Sequence, residues 1–162
     1  MKKINIILAS LIMIIIPSIT FGNVIDKLNE TGKFTKLNET LKKSGLKENL
    51  KSKGPYTIFA PLDDAFAAIS AKTYYGLLRE DNKDKLVNIL GRHVFSKKIT
   101  SSDIDGETKL KAINGEEITI KKVNGIVYIN EAEVVTADIE VSNGIIHFIN
   151  RVLQPLNWLL LI

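Results

Sequence analysis

The sequence predicts an α+β domain, helices first and strands second, and three observations carry that expectation. Apolar residues recur at helical spacing up to about residue 94. From about residue 95 the period shortens to two. Asn-Gly pairs at 114–115, 124–125 and 143–144 then divide the second half into runs of strand length, the strongest short-range hairpin signal. Helices and strands segregated in this way argue for an antiparallel meander after a helical half, and against a doubly wound parallel sheet.

The first 22 residues read as an export signal. Lys2 and Lys3 give a positive start, Ile4 to Ile16 is apolar apart from Asn5 and Ser10, and Pro17 precedes small residues at Ser18, Thr20 and Gly22. Cleavage is expected after Gly22, with Thr20 and Ser18 as alternatives. An uncleaved anchor is the rival reading, since Ile4 to Phe21 only just reaches spanning length. Residues 23–162 would then form one domain.

Phe34, Leu37 and Leu41 place one face of a helix over 33–44 against a core. Gly45 stops it in a left-handed conformation, and Leu46 packs back on Leu41. Leu46 and Leu50 suggest a further short turn before Ser52-Lys53-Gly54-Pro55. Tyr56-Thr57-Ile58-Phe59 reads as a short buried strand ending at Pro61. Asp63 or Asp64 is placed to cap a new helix carrying Phe66 and Ile69. Asn82-Lys83-Asp84 opens another, with Leu86, Ile89, Leu90, His93 and Val94 on one stripe. Ile118 and Ile120 alternate with polar residues, and Ile126 to Ile129 and Ile145 to Ile149 complete the strands.

Composition excludes several classes of function. The chain has 162 residues and no cysteine, so disulfide scaffolds, thiolate nucleophiles and zinc-thiolate centres are ruled out. The net charge is +4, and the basic excess falls to two when Lys2 and Lys3 are set aside, which gives no footprint for nucleic acid. No phosphate loop, nucleophile elbow or His-Glu-x-x-His helix occurs. Asp103-Ile104-Asp105-Gly106-Glu107 fails the calcium-loop pattern, because its glycine falls at position 4 and Asn114 stands at position 12. No cofactor or metal is expected.

Two segments carry a resemblance. Tyr56-Thr57-Ile58-Phe59-Ala60-Pro61-Leu62-Asp63-Asp64-Ala65-Phe66 and Asn143-Gly144-Ile145-Ile146-His147-Phe148-Ile149-Asn150-Arg151-Val152-Leu153-Gln154-Pro155 resemble the two signatures of the fasciclin domain. Leu90-Gly91-Arg92-His93-Val94 is similar to the segment between them. The resemblance implies a compact wedge or sandwich of strands with a helical N-terminal half packed on one side. It also implies a non-enzymatic role in adhesion or binding to protein, matrix or glycan partners. One domain behind an export signal is the arrangement of small secreted bacterial members, which places the chain in the periplasm, at the cell surface or outside the cell. Two departures stand out: Asn150 replaces the usual Asp, and Arg92 replaces the Tyr that precedes the histidine in many animal members.

On their own physics, Phe59, Pro61, Asp64, Phe66, Asn143, Gly144, His147 and Pro155 read as structural. His147 shares a strand face with Ile145 and Ile149, so it is expected buried, neutral and hydrogen-bonded at both ring nitrogens. His93 is expected to be structural as well. Asp138 and Ile139 align with an Asp-Ile pair implicated in integrin contact in animal members. With Arg92 and His93 they are the candidate partner-binding residues, although a strand end with Ile139 inward and Asp138 outward is the favoured explanation of the pair. The alternatives are a small envelope hydrolase or metal-dependent enzyme using His147 and His93, and a purely structural envelope protein. Of residues 156–162 six are apolar. This tail, with Trp158 near its start and Ile162 at its end, is expected to pack back, self-associate or touch a membrane surface.

Overall fold

A computed structural model describes residues 21–155 and Trp158. The leader assigned to residues 1–22 lies outside the described residues except for Phe21 and Gly22, as does the tail except for Trp158.

The helical layer comes first. It comprises α1 (Val24–Glu30), α2 (Thr35–Ser44), α3 (Leu46–Asn49), α4 (Ala71–Leu77) and α5 (Lys83–Gly91). Asn23 opens α1 through a capping box with Asp26. Gly45 ends α2 at φ 81°, the left-handed stop expected there. The strands are β1 (Tyr56–Pro61), β2 (Val94–Phe95), β3 (Glu107–Lys111), β4 (Glu117–Val123), β5 (Ile126–Ile129), β6 (Ala132–Val141) and β7 (Gly144–Ile149). They form one sheet in the order β2-β1-β7-β6-β5-β4-β3.

From β3 to β7 the sheet is the expected antiparallel meander. Its other half departs from that expectation, because β1 lies parallel to β7, from Tyr56 opposite Gly144 to Pro61 opposite Ile149. A parallel neighbour needs a long crossover, and here the whole chain between the two strands supplies it. A second departure follows Pro61. No α-helix starts at Asp63; residues Asp63–Ala68 form a 3-10 helix without a side-chain cap, and Ser70 instead caps α4. A third concerns the stripe of α5. The helix ends at Gly91, so His93 falls beyond it and Val94 joins β2.

Two apolar clusters result. One fills the space between helices and sheet, with Phe34, Leu37, Leu41, Leu86, Ile89 and Ile146 among its members. The other lines the inner face of the meander with Ile118, Ile120, Val127, Ile129 and Val134. The second follows from period: inward Ile118, Ile120, Val127 and Ile129 alternate along β4 and β5 with outward residues such as Thr119, Lys121 and Tyr128.

Candidate partner-binding site

The loop between β2 and β3 is tied to the sheet by a continuous run of polar contacts. Thr57 on β1 donates its hydroxyl to the Lys97 carbonyl and accepts the Ile99 N–H at 2.8 Å. His147 on β7 is 0% exposed and donates Nε2–H to the Ile99 carbonyl at 2.8 Å. Its Nδ1 accepts the Asp138 N–H at 3.3 Å, so both ring nitrogens are engaged as the sequence suggested. The ring stacks on Phe59, 4.9 Å between centroids. Burial lowers the His147 pKa from its usual value; the Ile99 carbonyl and the Asp138 charge oppose that shift without overcoming it.

Asp138 closes the run. It sits at φ 61° where the β6–β7 register shifts between Thr136 and Ile139, a bulge that turns its side chain towards the loop. Its carboxylate accepts the Ser101 N–H at 2.7 Å and the Ser101 hydroxyl. Burial favours the neutral acid, but the two Ser101 bonds, His147 and Lys122 outweigh it and hold the carboxyl below its ordinary value. Lys122 donates to the Ser101 carbonyl at 3.0 Å. Asp138 is exposed and Ile139 half-buried against the helical cluster, which is the inward–outward pair expected of this strand. Residues 135–138 are exposed together, and Val135 adds an apolar side chain at 46% exposure.

Arg92 and His93 are in a different place from that expected of partner-facing residues. They are 6% and 2% exposed. The cause is the turn between β3 and β4, which docks on the end of α5. Gly91 permits that approach, since a Cβ there would lie 2.8 Å from the Asn114 Cβ. Arg92 ion-pairs with Glu116 of this turn. His93 donates Nδ1–H to the Ile89 carbonyl and accepts the Leu153 N–H at Nε2, each at 2.9 Å. Burial pushes its pKa down to about 4, with Arg92 adding to the effect and the Ile89 carbonyl opposing it.

The remaining signature residues hold the frame. Phe66 packs edge-on against Tyr74, and Pro155 accepts the Trp158 N–H. Asp63 caps α2, while Asp64 is exposed. Asn150 trades hydrogen bonds with the Glu133 backbone, a neutral link in the place of a carboxylate. Asn143 has a role that the motif alone did not disclose. Its amide donates to the Leu50 and Ser52 carbonyls and accepts the Val24 N–H, joining three segments. Gly144 must lack a side chain, since a Cβ would lie 1.9 Å from the Tyr56 carbonyl oxygen.

Among the described residues no group of three His, Asp or Glu side chains could hold a metal ion. Ser101, Asp138 and His147 are the residue types of a hydrolytic triad, but their arrangement is not one. The serine hydroxyl bonds the carboxylate, and the imidazole is sealed between a carbonyl and an N–H. No helix among the described residues is long and apolar enough to cross a membrane.

Comparisons agree with this geometry. The fasciclin domain family model matches residues 32–155. Protein sll1483 of Synechocystis is 45% identical over 64% of this chain and 57% of its own length. Transforming growth factor-beta-induced protein ig-h3 of Sus scrofa is 36% identical over 83% of this chain, which spans only 19% of that larger protein. A FAS1 domain pair from the insect cell adhesion molecule Fasciclin I superposes with a TM-score of 0.73, at 22% identity, over 84% of this chain and 52% of that one. The chain is a member of the fasciclin domain family.

Proposed function

We infer that the protein is an exported, non-catalytic binding module of the cell envelope or surface, adhering to protein, matrix or glycan partners. The observation that carries this reading is the bulge of β6. There four consecutive exposed residues, 135–138, end in Asp138, which is held from below by His147 and from the side by Ser101. A rigid exposed segment loses little freedom on binding, which favours recognition. The adhesion role stated for the insect relative supports the same reading. The hydrolase alternative asks His147 or His93 to act as an accessible base, and both imidazoles are enclosed with their nitrogens engaged.

The test is retention of partners from envelope or matrix extract on immobilised protein. Saturable retention lost on Val135→Lys and Asp138→Lys, with the fold intact, is the expected result. Substrate turnover that disappears in a folded His147→Ala variant would overturn it in favour of an enzyme. The leader reading has its own test: intact mass of protein recovered from the envelope or medium should lack residues 1–22.

A further inference from the structure

We propose that the cleft at the head of β7, a site apart from the β6 bulge, binds a strand of acidic polysaccharide, which goes beyond the binding-module reading by giving the module a second ligand. The cleft is an open concavity of about 510 Å³ between the 51–55 loop, Lys98 and the β6–β7 turn. That volume lies within the range of roughly 300–1,000 Å³ usual for small-ligand sites.

Its charge has one sign. Lys51, Lys53 and Lys98 converge on it and no carboxylate lines it. Glu48 and Glu140 hold Lys51 and Lys98 at 2.9 and 3.1 Å, in pairs open to solvent. Such pairs contribute little, so the carboxylates of a ligand can exchange for them. Lys53 has no acidic partner among the described residues.

The walls are fixed before any ligand arrives. Asn143 clamps the loop through the Leu50 and Ser52 carbonyls, and the Asn143 carbonyl accepts the Tyr56 N–H at 2.9 Å. Gly54 lies so close to that carbonyl that a Cβ would sit 2.0 Å from it. The loop therefore cannot drift away from the turn.

The lining selects among anions. Ser52 and Ser142 add hydroxyls, and only Pro55 and Val141 are apolar. An acidic peptide would need apolar pockets for its anchoring side chains, and Pro55 and Val141 are the only apolar side chains in this lining. A nucleic acid strand would need aromatic platforms for its bases, and no aromatic residue lines the cleft. Three ammonium groups on flexible stems suit charges spaced along a polar chain better than one fixed phosphate.

Titration calorimetry of the exported protein with polygalacturonate oligosaccharides tests the proposal. Saturable binding is expected, weakening as NaCl rises from about 50 to about 300 mM. The triple variant K51Q/K53Q/K98Q should keep its thermal midpoint and lose affinity by at least about tenfold. Neutral dextran should not bind. Wild-type affinity in the folded triple variant, equal binding of dextran, or no binding of polygalacturonate by the wild type would each overturn the polysaccharide site. Val135→Lys separates the two readings, because this exposed side chain holds no part of the loop that carries Lys98, so it should abolish partner retention at the β6 bulge and leave polygalacturonate affinity unchanged. Loss of polygalacturonate binding in that variant would overturn the assignment to this cleft.

Discussion

The carboxylate of Asp63 caps a helix that begins at Thr35, 28 residues earlier in the chain. It accepts the Thr35 N–H at 3.1 Å, the Thr35 hydroxyl at 2.7 Å and the Lys36 N–H at 2.9 Å. Phe34, the residue at the cap position of α2, offers no such group. The first turn of α2 thus borrows its cap from the segment after β1, which ties helix to sheet. Asp63→Ala should cost about 1–2 kcal/mol. Asp64→Ala, at an exposed position, should stay within about 0.5 kcal/mol. Urea midpoints of the two variants decide it, and equal losses would count against the cap.

Asp138 gives a similar contrast. A purely outward strand residue would tolerate alanine at under about 0.5 kcal/mol. The bonds to Ser101 and the left-handed backbone raise the expected loss for Asp138→Ala to about 1–2 kcal/mol. Asp138→Asn should cost less, since asparagine tolerates this conformation and still accepts the N–H. A double-mutant cycle with Ser101→Ala should show coupling; simple additivity would mean that the contact contributes nothing to stability.

His147→Ala removes a stacked ring and strands the Ile99 carbonyl and the Asp138 N–H. The expected loss is about 2–4 kcal/mol, with cavity and unpaired polar groups both contributing. Its measure is the denaturant midpoint, and a loss near that of an exposed site would mean an accessible His147.

These contrasts show what could be read in the sequence. Repeating patterns were legible: the stripe of α2, the stop at Gly45, the alternation of β4, the turn at Asn124-Gly125 and the buried, doubly bonded His147 all follow from local period and residue chemistry. Links between segments far apart were not. Asp63 has the composition of a local cap, and only the fold shows that its target lies behind it. Arg92 reads as a partner-binding candidate because nothing local announces that the 112–116 turn covers it. The helix α1 had a usable signal, since Asn23 and Asp26 stand at capping-box spacing. The turn at Asn130 lacks a glycine, although asparagine alone supplies its φ of 50°.

Acid should destabilise the fold through the histidines. Burial depresses His93 to about 4, so between that value and its unfolded value near 6.5 the unfolded chain binds the extra proton. The stability contributed by neutral His93 is complete above about pH 6.5 and is lost as pH falls through about 4. Its magnitude is on the order of 3 kcal/mol. His147 acts in the same direction. His93→Gln should lower stability at pH 7 and flatten the dependence between pH 6.5 and 4. A wild-type urea midpoint constant across that interval would contradict the burial argument.

Trp158 sets the last expectation. Its indole packs against the helical cluster beside Pro61, Leu86 and Val152, and its N–H of the backbone returns to the Pro155 carbonyl at 3.0 Å. That contact supports return packing of the tail at this one position; the other residues of 156–162 lie outside the described residues. An aromatic side chain half-buried on apolar neighbours should cost about 1–3 kcal/mol when cut to alanine. Trp158→Ala is therefore expected to lower the denaturant midpoint while leaving sedimentation unchanged and lipid flotation no greater than in the wild type. If the midpoint holds and a dimer or a vesicle-bound fraction disappears instead, the tail serves association rather than the core.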